Sequence, residues 1–287
     1  MLEPLIDAIH AIGLEKIFLL LMAPVFLACM IGEAWWLARR RRQTYSLHET
    51  GTNISLALSH AVTDGLAWAL LIGLFYTVWE HRLFEIPTTV WSVLGLLLLQ
   101  DFFYYWFHRA SHRIRWMWAS HVTHHSSERM NLSTALRQSL TYPISGMWLF
   151  WLPLAWIGFR PEQVILVVAI SLGYQFFVHT EAVKKLPRLL EAVFNTPSHH
   201  RVHHARNPQY IDRNYAGVLI IWDKLFGSFE PEQAPCDYGI VRQIHTRNPL
   251  VMMFHEWRDM FRDAARPGPL WLRLKHLWAP PEWTRPR

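Results

Sequence analysis

The feature that most constrains this chain is its long apolar runs, because a helix needs about 20 apolar residues to cross a bilayer. Five segments of the 287-residue sequence approach that length. The first, Ile17 to Ala38, holds one proline and one acid, Glu33, and Arg39 to Arg42 follow at once. The second, Ile54 to Trp79, carries His60 and Asp64, and the third, Thr88 to Phe107, carries Asp101. Leu140 to Phe159 and Glu162 to Val178 read as a hairpin of two further spans, joined by a turn with Gly158 and Pro161. The sequence therefore predicts an all-α polytopic membrane protein with about four to five spans and a histidine-rich helical cap. Residues 1–178 form the spanning region, with its first two histidine patches, and residues 179–287 form the cap. Residues from Pro267 onward are expected in the headgroup zone, where Trp and Arg are favoured.

Four consecutive arginines beside a span mark the cytoplasmic side. The N-terminus is then expected outside, and every histidine-rich segment on the cytoplasmic side with the arginines. A cleavable signal is not expected, because the basic cluster follows the apolar core. With 52% hydrophobic and 14% aromatic residues, the composition excludes intrinsic disorder. Cys29 and Cys236 do not make a disulfide scaffold. The net charge of +6 is scattered and forms no nucleic-acid motif, so no nucleic-acid partner is expected, and the excess suits anionic lipid.

Ten of the 17 histidines lie in four patches: His108 and His112; His121, His124 and His125; His179; and His199, His200, His203 and His204. On a helix, spacings of three and four turn the imidazoles to one face. Imidazole is the commonest protein ligand for metals, and these rings exceed what one tetrahedral zinc takes. They suit two adjacent metal ions, and imidazole alone does not select among iron, zinc, copper and nickel. His199 points away from the set that contains His200. His10, His48, His60, His81, His245, His255 and His276 read as ordinary surface or core residues.

The words HRASH (108–112), HVTHH (121–125), HTE (179–181), HHRVHH (199–204) and NYAGVLIIWDKLFGSF (214–229) resemble the fatty acid hydroxylase and sterol desaturase superfamily, in particular its alkylglycerol monooxygenase-like and bacterial lipid hydroxylase members. The resemblance implies two iron ions held only by histidine, O2 as co-substrate and attack on a C–H bond of a membrane lipid. Carried over by position, it makes His108, His112, His121, His124, His125, His179, His200, His203 and His204 the metal ligands. It also implies an external electron donor, in one branch a tetrahydropterin, although no part of this sequence reads as a pterin site. Hydroxylation, including cleavage of an ether lipid, is the favoured outcome. Desaturation by the same chemistry is the alternative, and a histidine-rich metal-handling membrane protein is the alternative of another class. Ligands at the ends of spans rather than near their middle speak against a transporter.

Ligand histidines usually donate their second N–H to an acceptor. Asp101, Glu181 and Asn195 are the residues expected to serve the chemistry in that way, with Glu128, Asn207, Asn214 and Asp223 as further candidates. Asp101 ranks first because it lies two helical turns before His108. Arg109, Arg113, Arg137 and Arg201 have the chemistry to hold a phosphate or carboxylate headgroup. The aromatic run from Phe102 to Phe107 suits either an acyl-chain entrance or interfacial anchoring.

Overall fold

The structure is a computed structural model that describes residues 14–40 and 45–286. Arg41, Arg42, His10 and the expected position of the N-terminus lie outside the described residues. Among those residues the fold is helical, with two isolated bridges and no named strand. Four helices are long and apolar enough to cross a membrane: α1 (Leu14–Arg39), α2 (Leu47–Glu80), α3 (Val90–Arg113) and α7 (Pro161–Val178). Their outer faces carry exposed apolar residues such as Leu20, Leu66, Leu70 and Leu98, which only a lipid environment would solvate without cost.

The local sequence explains where these helices start. Thr89 and Ser92 exchange bonds in a capping box at α3, and α7 opens with Pro161 in its first turn while Gln163 reaches back to the Arg160 N–H. The 34 residues of α2 span about 50 Å, well beyond the hydrocarbon thickness. Its first turns therefore rise above the bundle and join the wall of the cap.

The expected span from Leu140 to Phe159 is not one helix. It consists of α5 (Tyr142–Ser145), a 3-10 turn (Met147–Phe150) and α6 (Leu152–Ile157). Pro143 and Pro153 remove helical donors, and Gly146 turns left-handed at φ 85°. The segment nevertheless runs the length of the bundle. Tyr142 packs on His60, whereas Trp156 and Ile157 accept backbone bonds from Leu83 and Phe84 in the α2–α3 loop. From His60 to the end of α2 is about 30 Å at 1.5 Å per residue. Gly158 closes the pass at φ 138°, where a Cβ would meet the Phe84 carbonyl oxygen at 2.2 Å.

The main core joins α2, α3, the broken pass and α7 through Phe75, Leu96, Phe107, Trp151, Leu154 and Val164. Glu33 of α1 accepts bonds from the Thr180 hydroxyl, the Tyr45 hydroxyl and the Leu132 N–H, which pins α1 to the turn after His179. Across the site end of the bundle lie α4 (Arg115–His125), α8 (Arg188–Val193), α9 (Pro197–His203), α10 (Ile221–Leu225), α11 (Pro249–Ala265) and α12 (Leu270–Trp278). Buried Arg115 fastens α4 to α11 through Glu256 at 2.7 Å and Asp263 at 3.0 Å.

Candidate metal centre

Four segments deliver nine imidazoles to one place. His108 and His112 stand one turn apart on the last turns of α3, and His121, His124 and His125 end α4. His179 caps α7, and His200, His203 and His204 come from α9 and its cap. Thr196 and His199 form the capping box that starts α9, and Pro197 occupies its first turn. All nine rings are buried.

The rings form two groups. His108, His112, His121, His125 and His203 make one, and His124, His179, His200 and His204 the other, with the ligand atoms of each group within 4.8 Å of one another. The Nε2 atoms meet at short range: His108 to His121 at 3.0 Å, His125 to His121 at 3.1 Å, His200 to His179 at 2.8 Å and His204 to His200 at 3.1 Å.

The outer nitrogens explain why these contacts matter. The Nδ1 of His179 lies 2.7 Å from the Gln175 carbonyl, and that of His124 lies 3.2 Å from the Arg137 carbonyl. A carbonyl only accepts, so the Nδ1 of His179 carries the proton, and that of His124 does so where it donates to the Arg137 carbonyl, the nearer of its two partners, the other being the Gln138 amide nitrogen at 3.4 Å; both Nε2 atoms then present a lone pair. Those two lone pairs face each other at 3.1 Å inside a buried site. Such an arrangement is repulsive unless a cation lies between the nitrogens. His108 and His203 are turned the same way, with Nδ1 on the carbonyls of Tyr215 at 2.7 Å and Arg213 at 3.0 Å. The Nε2 of His112 and of His203 are buried without a partner.

The donor set fits a metal. Two imidazole nitrogens at right angles on one ion, with bonds of about 2.0–2.1 Å, sit about 2.9 Å apart. Burial, reinforced by the neighbouring imidazoles, holds His121, His124, His125, His200, His203 and His204 well below the ordinary histidine value, and burial pushes His179 down to about 4. Those seven rings are thus neutral near neutral pH, the state that ligates.

Other expected residues are placed differently. Asp101 does not touch His108. Its carboxylate accepts the N–H groups of Val218 and Leu219 at 2.7 and 2.9 Å and the Trp222 indole N–H at 2.9 Å. Asn195 donates to the Ala216 carbonyl at 2.7 Å, and Asp223 accepts the N–H groups of Tyr215 and Ala216 at 2.7 and 2.8 Å. These three side chains brace the 215–219 loop, whose Tyr215 carbonyl meets His108. Gly217 lets that loop approach, since a Cβ there would lie 2.7 Å from the Tyr104 ring. Glu181 accepts the Tyr238 hydroxyl instead of a histidine, at 3.0 Å. His199 belongs to neither group and pairs with Glu191 at 3.1 Å.

Two side chains that do reach the rings were missed in the sequence. The Tyr142 hydroxyl lies 2.6 Å from His121 Nδ1, and Asp212 faces His112 Nδ1 at 3.7 Å while pairing with Arg113. Burial raises the affinity of Asp212 for its proton, but His112 and Arg113 outweigh it and hold the carboxyl below its usual value. The left-handed backbone of Asp212, at φ 60°, aims the group, and the residue lies in none of the histidine words.

Known proteins share sequence with the segment that holds most of this histidine-built centre. The family model described as fatty acid hydroxylase matches residues 93–228, from early α3 to just past α10. It is 43% identical over 252 residues to alkylglycerol monooxygenase of Homo sapiens, covering 85% of this chain and 55% of that protein. It is 37% identical over 275 residues to alkylglycerol monooxygenase of Caenorhabditis elegans, covering 87% of this chain and 54% of that protein. With the ornithine lipid hydroxylase OlsE of Rhizobium tropici it shares 28% identity over 160 residues, 55% of this chain and 48% of that protein. The chain spans about half the length of the alkylglycerol monooxygenases it matches. No solved structure matches it.

Proposed function

We propose that this chain is an O2-dependent membrane lipid hydroxylase whose nine buried histidines hold two iron ions. The observation that carries the reading is the pair of opposed lone pairs on His124 and His179, which calls for a cation where the family's chemistry requires one. His108, His112, His121, His125 and His203 would hold one ion, and His124, His179, His200 and His204 the other. Two bound irons supply the activation of O2 that an unactivated C–H bond requires. The balance is one oxygen atom into the lipid and one into water, with two electrons and two protons from an external donor. A tetrahydropterin is the donor that the resemblance implies.

The chain's own residues do the rest. Carbonyls of Tyr215, Arg137, Gln175 and Arg213 fix the ring orientation of four ligands by accepting their outer N–H groups. Tyr142 and Asp212 orient His121 and His112, while Asp101, Asn195 and Asp223 act one step further out, through the loop. Buried Tyr104, Phe107 and Trp151 pack together in the core beside the first group, with the Tyr104 ring 5.4 Å from that of His108. The favoured substrate is an alkyl ether lipid attacked at the carbon beside the ether oxygen. The resulting hemiacetal would collapse to an aldehyde and an alcohol. The site would lie on the cytoplasmic side, in a cap formed by residues 179–287 over a spanning region of residues 1–178.

The test is incubation of the iron-loaded protein with an alkylglycerol and a reductant under 18O2, with rapid trapping of the aldehyde. Label in the aldehyde is the expected result. A desaturated, unlabelled lipid would replace this reading with desaturation, and no change in the lipid would remove the oxygenase reading.

A further inference from the structure

A polar cavity of about 440 Å3 opens beside the second histidine group, between the first turns of α2, the 126–137 segment and residues 243–252. Buried Arg137 lies in its wall. That guanidinium donates to the Thr123 carbonyl, the Ser126 hydroxyl and the Asn53 amide oxygen, while its Nη2 has the Met252 sulfur at 3.3 Å as partner. The carboxylate of Glu49 stands 3.8 Å away and is shared with Arg129 at 3.3 Å, so it compensates Arg137 only in part. Arg247, His48 and His245 add basic groups to the lining, and Glu128 is the other acid there. Glu128 leans toward Arg206 at 4.0 Å, and among the described residues no carboxylate lies within 4.0 Å of Arg247.

Two features say what this basic cavity takes and from where. Guanidinium groups that line one cavity from separate segments have the chemistry to bind the oxygens of a phosphate. Apolar residues next in sequence to the lining stand out at the same end: Leu47 is 95% exposed, Leu250 60% and Val251 41%. A site fed only from water has no use for that rim, whereas one fed from a membrane does. Arg137 also ties the cavity to the centre, because its own carbonyl accepts the outer N–H of His124.

We propose that the cavity walled by Arg137, Arg129 and Arg247 holds the phosphate of an anionic lipid headgroup and thereby selects phosphate-bearing ether lipids as substrates. This rests on the lipid hydroxylase reading and adds the headgroup to it. The test is native mass spectrometry of the full, iron-loaded chain in detergent, offered an equal mixture of an alkylglycerol phosphate and the same alkylglycerol without phosphate. Wild type is expected to retain the phosphate-bearing lipid in preference. Arg247→Gln, whose side chain is exposed, should lower that ratio about tenfold, the loss of one charge-assisted hydrogen bond, and Arg129→Gln should act in the same direction. Lys184→Gln, in the other polar cavity beside Glu181, should leave the ratio where it is. An unchanged ratio in both arginine variants, or no preference in wild type, overturns the proposal. Inorganic phosphate binding as tightly as the alkylglycerol phosphate would make this a free-anion site and overturn the lipid assignment. Retention is read without turnover, so an inactive protein still tests the headgroup, and turnover without headgroup preference removes only the headgroup.

Discussion

At the residue scale, the decisive chemistry lies in which nitrogen of each ring is turned inward. The histidines themselves were legible, because spacings of three and four place the rings together on helices. Their outer partners were not, because backbone carbonyls of Tyr215, Arg137, Gln175 and Arg213 do most of that work and a carbonyl has no signature in sequence. For the same reason Asp101 looked like a partner of His108 at helical spacing, whereas it braces the loop that carries the real acceptor. His124→Ala and His203→Ala remove one ligand from each group and should abolish metal retention and turnover together. Asp212→Asn leaves His112 in place with a weaker acceptor, and metal affinity or activity should fall about 10- to 100-fold, the usual cost of losing such a partner. His81→Ala, at the opposite end of α2, should keep the wild-type metal content. Metal analysis and lipid turnover on the same preparations check all four.

At the element scale, hydrophobic runs identified the four helices long enough to cross a membrane, yet they overstated the regularity of the fourth run. Pro143, Gly146 and Pro153 stand in plain sight in the fourth run, and they break it into short pieces that still travel from His60 to the α2–α3 loop. Where that path crosses the membrane as well as the bundle, the order of sides along the chain is the one expected from five spans. In a background with Cys29 and Cys236 replaced by serine, cysteines introduced at Leu47 and Gln209 should react with an impermeant reagent from the same side of sealed vesicles, and one at Leu83 from the other. Labelling of Leu47 and Gln209 from opposite sides would mean that the 140–158 segment does not cross. Glu33 offers a second check on how elements are joined. Glu33→Ala leaves the Leu132 N–H without its acceptor and should cost about 1–3 kcal/mol, read as a lower midpoint in thermal unfolding.

At the scale of the whole molecule, one end of an apolar bundle is turned into a polar cap whose histidines are grouped as metal ligands would be. The lengthened α2, the ends of α3 and α7, and helices α4 and α9 converge there. Sequence made this arrangement readable because every histidine patch lies at the end of an apolar run or beyond it, and none in the middle of one. It left the cavity around Arg137 unreadable, since its walls come from three segments far apart in the chain. The central claim is that nine histidines form two adjacent metal sites. Elemental analysis of the wild-type chain, purified gently from iron-supplied cells, tests it most directly. Two metal ions per chain, iron in active preparations, is the predicted result, with zinc also admissible because it competes for imidazole sites. One ion per chain, or none, would contradict it.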